Sequence, residues 1–204
     1  MAGTLATSVF LNFQSKFEKR CISLFIDAFQ TSISNQSIEL SFDENDITAI
    51  LHNFIDENPK RKKWEISTNV ENHFFDKTTT PEKGFAAKFS RIDMRLTSIS
   101  WLKNEYIYYI EAKNLKSKDS DSKRRYINTG IDNFLIGGKY HQCKGLLVGY
   151  ILEGTINQCV EQGVNKLLKK DKRETEVIFN IENIIYQSNH TNRNLKHLFF
   201  DFVN

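Results

Sequence analysis

The sequence predicts an α/β fold, an α+β sandwich in which a mixed central sheet is flanked by helices. Three observations point to it: helical apolar spacing near the N-terminus, alternating and aromatic-rich segments in the middle, and helical patterns again further on. At 204 residues the chain fits a single domain, 1–204, with a substantial core. Its apolar and charged fractions, 40% and 26%, are those of ordinary globular proteins and argue against disorder.

Two helices are predicted ahead of the strands. Residues 9–29 carry apolar side chains at three- and four-residue spacing, which indicates an amphipathic helix. A second helix is expected to start after Ser41 or Asp43, since either side chain suits an N-cap. It should end before Pro59, because the residue preceding a proline disfavours the helical region.

The central strands come next. A β-like stretch over 64–75, a loop at 76–84 that ends a hairpin arm, an alternating segment over 89–99 and the aromatic-rich residues 105–113 follow in order. The alternation predicts two faces for the middle strand: Ile92, Met94 and Leu96 on one, and Arg91, Asp93 and Arg95 on the other. The short connection 100–104 makes the last two strands antiparallel neighbours.

The second half of the chain is expected to continue in helices and strands. Predicted are a helix at 122–135 ended by Gly137-Gly138, a strand at 144–152, a helix at 156–168, and strand-like segments at 176–186 and 195–203. The extension 176–204 is open between a dimer interface, a partner surface and additional sheet.

Charge, cysteine content and apolar runs indicate the cellular compartment and the kind of partner to expect. The net charge of +3 is too small to require a polyanionic partner by itself. Cys21, Cys143 and Cys159 are an odd, widely spaced set without CxxC, which favours a reducing compartment. No run is apolar over the roughly 18 residues of a membrane span, and no leader pattern opens the sequence. A cytoplasmic protein without a membrane partner is therefore expected.

Three charged residues suggest chemistry. Glu111 and Lys113, two apart on a strand, share a face, and Asp93 on the preceding strand is expected beside them. Two carboxylates about 4 Å apart repel by roughly 4 kcal/mol at an effective dielectric of about 20, so such a pair needs a proton, a cation or a metal. Hard oxygen ligands, with the Ala112 carbonyl as a further one, suit Mg²⁺ or Mn²⁺. Lys113 would then stabilise charge on a phosphoryl transition state.

Ile92-Asp93 followed by Glu111-Ala112-Lys113 resembles the PD-(D/E)XK nuclease superfamily of restriction-endonuclease-like enzymes. The resemblance covers about 43–152, roughly half the chain, and Ile92 stands where the motif has proline. It implies a core of one helix, three antiparallel strands, a second helix and a fourth strand. It also implies catalytic roles for Asp93, Glu111 and Lys113, and an acidic metal ligand on the preceding helix. Glu44 is the best-placed candidate for that ligand, with Asp43 and Asp46 as rivals that equally suit capping.

The function implied is that of a Mg²⁺-dependent endonuclease that hydrolyses phosphodiester bonds of DNA, with RNA as an open substrate. The resemblance places such proteins in restriction or phage defence, as homodimers or with a partner protein of a defence complex. A basic stretch after the motif would contact nucleic-acid phosphates. Its candidate contacts are Lys116, Lys123, Arg124, Arg125 and Tyr126.

The same residues also allow interpretations without a catalytic or nucleic-acid-binding role. Residues 111–113 could be a solvated strand end, with Asp93 paired to Arg91 or Arg95. The basic run 60–63 could complement a helix dipole rather than bind nucleic acid. For the whole chain, the alternatives are a catalytically inactive nucleic-acid-binding or partner-binding protein on the same fold, and a plain interaction module.

Overall fold

The computed structural model describes residues 2–73, 91–98 and 106–203. The loop predicted at 76–84 and the connection at 100–104 lie outside these residues. The helices are α1 (Ala2–Ser34), α2 (Glu44–Glu57), α3 (Pro59–Lys63), α4 (Ser120–Arg125), α5 (Asp132–Phe134), α6 (Ile156–Cys159) and α7 (Asn165–Lys170). The strands are β1 (Ile66–His73), β2 (Arg91–Ser98), β3 (Ile107–Lys116), β4 (Gly145–Glu153), β5 (Phe179–Glu182), β6 (Ile185–His190) and β7 (Arg193–Asp201).

The seven strands form one mixed sheet in the order β1-β2-β3-β4-β7-β6-β5. The β1–β2 and β2–β3 pairs are antiparallel, while the β3–β4 and β4–β7 pairs are parallel. The predicted antiparallel pairing of β2 with β3 is confirmed, with Met94 opposite Ile110. The predicted fold class, a mixed sheet flanked by helices, is confirmed as well.

Helices cover both faces of the sheet and create two cores. On one face, α1 and α2 pack on the sheet through Phe25, Leu51 and their apolar neighbours. On the other, the helices between Ser120 and Lys170 pack on the sheet around Phe199. One detail of the predicted alternation is wrong: Ile92 joins this second core, whereas Met94 and Leu96 lie in the first.

Two predicted helices contain wider turns. The predicted helix at 122–135 starts at Ser120, behind the N-cap Asp119, and has a π-helical segment, Tyr126–Ile131, between α4 and α5. The predicted helix at 156–168 likewise has a π-helical segment, Val160–Val164, between α6 and α7. Such segments insert a residue into a helix and rotate the side chains that follow.

The C-terminal extension forms additional sheet. The segment predicted as one strand at 176–186 is divided between β5 and the start of β6, with Asn183 in a positive-φ conformation (φ 46°) at the turn. β7 pairs with β4 on one side and β6 on the other, so the extension is part of the central sheet. Within the residues that the structure describes, no helix is both long and apolar enough to cross a membrane.

Candidate active site

Three elements bring four charged side chains together at β3. The Lys113 Nζ atom lies 2.9 Å from Glu44 Oε1 and 2.9 Å from Glu111 Oε1. It is also 3.9 Å from Asp93 Oδ2. The predicted trio and the helix residue Glu44 therefore share one site. Glu111 and Lys113 are 5% and 8% exposed, so the interpretation of 111–113 as a solvated strand end is wrong.

Backbone hydrogen bonds hold two of the carboxylates. The Ala112 N–H donates to Asp93 Oδ2 at 2.7 Å, which ties this side chain across from β2 to β3. The Asn114 N–H donates to Glu44 Oε2 at 3.1 Å, so α2 is attached to the same strand. Both carboxylates are thus fixed by the main chain of β3, on either side of Lys113.

Of the three acids at the start of α2, Asp43 and Asp46 cap the helix, and Glu44 does not. Asp43 is the N-cap of α2 and accepts from the N–H groups of Asn45 and Asp46 at 2.8 and 2.9 Å. Asp46 completes the capping box by accepting from the Asp43 N–H at 3.2 Å. These two carboxylates satisfy the helix terminus. Only Glu44, between them, reaches the site.

The electrostatics of the site are those of excess buried negative charge. Burial, and next the neighbouring Asp93, raise the pKa of Glu111 to about 8. Burial also raises the pKa of Asp93, against the opposing effects of Lys113 and the Ala112 N–H. Burial alone would lower the pKa of Lys113, but Glu111, Glu44 and Asp93 outweigh it and raise this pKa. The lysine is therefore held charged among the carboxylates.

The donor set of the site suits a hard cation. Glu111 Oε2 is buried and has no hydrogen-bond partner among the described residues, although a carboxylate oxygen in that position needs a donor or a cation. Asp93, Glu111 and the Ala112 carbonyl supply oxygen ligands of the kind Mg²⁺ and Mn²⁺ take. The Ala112 carbonyl accepts from Lys113 Nζ at 2.5 Å. Within the described ranges, no three or more His, Cys, Asp or Glu side chains are already arranged so that together they could hold a metal ion.

The basic side chains predicted to contact phosphates differ in whether they already have a partner within the protein. Arg125 is exposed and Lys116 is half-buried, so both side chains reach the surface beside α4. Lys123 Nζ donates to the Ser117 carbonyl at 2.6 Å, and Arg124 forms an ion pair with Asp171. The last two therefore already have intramolecular partners.

Tyr126 corrects the prediction of a nucleic-acid contact. Its side chain is fully buried in the second core, and its hydroxyl is 2.9 Å from Nδ1 of His197. Burial lowers the pKa of His197 to about 3, which keeps this imidazole neutral. Tyr126 is thus a core residue with a satisfied hydroxyl, and it offers no surface to a phosphate.

A second basic segment, not predicted as a contact from the sequence, lies on and just after α7. Its four exposed lysines are Lys166, Lys169, Lys170 and Lys172. The Arg124–Asp171 ion pair places this segment next to α4. The lysine spacing was visible in the sequence, but only the packing of the helices shows that the segment adjoins the predicted basic stretch.

Two side chains of the basic run 60–63 form ion pairs with neighbouring helices. Lys60 forms an ion pair with Asp27 at 2.9 Å, and Arg61 with Asp56 at 3.1 Å. Both carboxylates belong to the preceding helices. These two side chains therefore help to hold α1, α2 and α3 together.

A pocket of about 720 Å³ lies away from this site, where β3, β4 and β7 begin. None of the four clustered residues lines it. Among its lining residues, Lys196 forms an ion pair with Glu18 at 2.7 Å, and His190 Nδ1 lies within hydrogen-bond distance of Glu176 Oε2, also at 2.7 Å. The pocket is therefore separate from the charged cluster around Lys113.

The fold and the site define only a class: an α/β protein with a partly buried cluster of three carboxylates and a lysine at its central sheet. Searches of family models, of curated proteins and of solved structures gave no match to the chain.

Proposed function

We propose that the chain is a metal-dependent nuclease that hydrolyses phosphodiester bonds of nucleic acid, with DNA as the first substrate to test. The observation that carries the proposal is the convergence of Asp93, Glu111 and Glu44 on Lys113. The three carboxylates come from three different elements. The order α2, three antiparallel strands, helix and β4 supports it, because the resemblance implies that order.

The energetics favour a functional origin for this cluster. One carboxylate would neutralise Lys113, yet three approach it, and two of the four groups are less than a tenth exposed. Buried ion pairs often add no stability relative to apolar residues of the same volume. Strongly shifted pKa values with specific charged partners are typical of functional sites. An arrangement this costly is best explained by a reaction that needs it.

Each residue of the site then has a role. Asp93, Glu111 and the Ala112 carbonyl would hold a divalent cation. When bound, such a cation polarises a phosphoryl oxygen and lowers the pKa of water. Lys113 presents a fixed positive charge where negative charge develops on the phosphoryl group. Glu44 keeps the Lys113 ammonium in place.

The test is a cleavage assay on supercoiled DNA, linear DNA, single-stranded DNA and RNA with Mg²⁺, Mn²⁺ or EDTA. We expect metal-dependent cutting by the wild type, and a loss of at least about a hundredfold in Asp93→Asn and Lys113→Ala. Glu57→Gln, at an exposed acid on α2, is the matched control and should cut normally. Cutting that survives EDTA, or that is equal in all variants, would show the proposal to be wrong.

A second candidate is a non-catalytic nucleic-acid-binding protein on the same fold. The position of Lys113 favours it, because this ammonium already donates hydrogen bonds to Glu44, Glu111 and the Ala112 carbonyl, which a metal ion would otherwise contact. This candidate predicts binding without cleavage under every metal condition. It also predicts that Asp93→Asn leaves binding unchanged.

Charge reversal at the basic surface tests the substrate class independently of cleavage. Binding of a DNA duplex, measured by fluorescence anisotropy in EDTA, should weaken in Arg125→Glu and in Lys169→Glu/Lys170→Glu. Each lost phosphate contact should reduce the magnitude of the negative slope of log K against log salt by about 0.9. Lys63→Glu, on exposed α3, should change neither quantity. Equal salt slopes in all of these proteins would show that this surface does not bind DNA.

A further inference from the structure

A pair of buried hydroxyl groups joins α2 to the centre of the sheet directly behind the site. The Tyr150 hydroxyl, on β4, lies 3.0 Å from Thr48 Oγ1 on α2. The Thr48 hydroxyl in turn donates to the Glu44 carbonyl at 2.7 Å. A threonine hydroxyl has one proton to donate, so the Tyr150 hydroxyl is the donor in the contact between the two. The chain of donors runs from β4 through Thr48 to the backbone of Glu44.

The sheet therefore holds Glu44 at two points. Tyr150 is the register partner of Asn114 across the parallel β3–β4 pair. The Asn114 N–H donates to the Glu44 carboxylate, while Tyr150 acts through Thr48 on the Glu44 carbonyl. Asn114 and Tyr150, which are register partners on neighbouring strands, thus hold the carboxylate and, through Thr48, the carbonyl of Glu44.

The Tyr150 hydroxyl is not needed for packing in the core. Tyr150 is fully buried and Thr48 is 5% exposed. The Tyr150 ring packs with Phe200 and Phe202 in the first core, where a phenylalanine would supply the same apolar contact. Burying a hydroxyl costs free energy unless it is hydrogen-bonded, and a single bond of this kind returns little net stability. The hydroxyl is therefore better explained by what it orients.

We propose that Tyr150 and Thr48 are positioning residues that fix the first turn of α2, so that the Glu44 carboxylate stays on Lys113 and Asn114. The inference rests on the proposed function for its catalytic consequence, but the contact it describes is measurable without activity. Loss of either hydroxyl frees the first turn of α2 to fray. Glu44 then leaves Asn114 and Lys113 for part of the time.

The first experiment is amide hydrogen exchange at Asn114. In Tyr150→Phe this amide should exchange about tenfold faster, because its acceptor Glu44 is released more often. The amide of Val148, in the adjacent part of β4, reports global opening and should change less. Tyr126→Phe is the matched control, since it removes a buried tyrosine hydroxyl bonded to His197 in the other core.

A pair of threonine substitutions keeps the test sound if Tyr150→Phe does not fold. Thr48→Val removes the hydroxyl at nearly constant shape and should accelerate exchange at Asn114. Thr48→Ser retains the hydroxyl and should restore the wild-type rate. Unchanged exchange at Asn114 in both Tyr150→Phe and Thr48→Val would overturn the inference. An equal increase at Asn114 and Val148 would also overturn it, because that pattern means a purely structural role.

Cleavage kinetics separate this inference from the proposed function. If Tyr150 acts through Glu44, Tyr150→Phe lowers kcat in the wild-type background but has no further effect in Glu44→Gln. Additive losses would contradict positioning through Glu44. If exchange at Asn114 changes as expected and no protein cuts any substrate, the positioning contact stands and the nuclease function fails. If the wild type cuts and exchange is unchanged, the nuclease stands and the positioning fails.

Discussion

Lys113→Met is expected to abolish cleavage and to lower the free energy of unfolding by about 3–5 kcal/mol at pH 7.5. Methionine preserves much of the volume of the side chain, so the effect reports the charge. Without the ammonium, Glu111, Asp93 and Glu44 lose their shared counter-charge in a partly dehydrated place. Glu111, with a pKa of about 8, is already mostly protonated at pH 7.5, whereas Asp93 must take up a proton to relieve the repulsion, which requires a lower pH.

The destabilisation should therefore depend on pH. Urea unfolding in EDTA should show a large deficit for Lys113→Met at pH 7.5 and a smaller one at pH 5.5, where the carboxylates bind protons more readily. Lys62→Met, on exposed α3, is the matched control and should be near neutral at both pH values. A deficit below about 1 kcal/mol at pH 7.5 would mean that the cluster is not a strongly coupled buried group.

Glu111→Gln is expected to remove cleavage while making the metal-free protein more stable than the wild type above pH 8. The pKa of Glu111 is about 8 in the folded protein, against 4.5 as its ordinary value. Between these values the folded state binds the extra proton, so stability falls as the pH rises and levels off above about 8. The slope is at most about 1.4 kcal/mol per pH unit for one such group.

The pH range from 6.5 to 8 separates the contribution of Glu111 to the pH dependence of stability from that of His197. Below it, buried His197, whose pKa is lowered to about 3, adds the opposite trend, since its unfolded form takes up a proton first. Within the window, the wild type should lose stability with pH in EDTA, and Glu111→Gln should not. Mg²⁺ should raise the stability of the wild type at pH 8 and leave that of Glu111→Gln unchanged. Parallel pH profiles for the two proteins would contradict the assigned ionisation of Glu111.

Local patterns were sufficient for the parts of the site that lie on adjacent strands. Alternation in β2 and the i, i+2 spacing of Glu111 and Lys113 gave the polar face, and the short connection gave the antiparallel pairing. Three acids in the first turn of α2 could not be separated in this way. Their difference depends on which side chains cap the helix and which one reaches β3, a contact far away in sequence.

The prediction that Tyr126 contacts nucleic acid was wrong because one local pattern was chosen over another. Helical periodicity was present, with Tyr126, Ile127, Ile131 and Phe134 on the buried side, but the residue was grouped with the charged side chains before it. The turn at Asn183 was missed for another reason: it lacks glycine and proline, so a continuous strand was the simpler pattern. The pairing of β7 with β4 has no local signature at all, because both are apolar strands with many eligible partners.

That last pairing has a consequence for how the chain folds. β4 is flanked by β3 on one side and by β7 on the other, and β7 is made of residues 193–201. A ribosome-bound chain that ends before Arg193 would therefore carry an apolar strand with one open edge, a template for pairing with other chains. Parallel pairing between such distant segments also gives a high contact order and slow folding. Until residues 193–201 have been made, the sheet therefore has an open apolar edge at which it can aggregate.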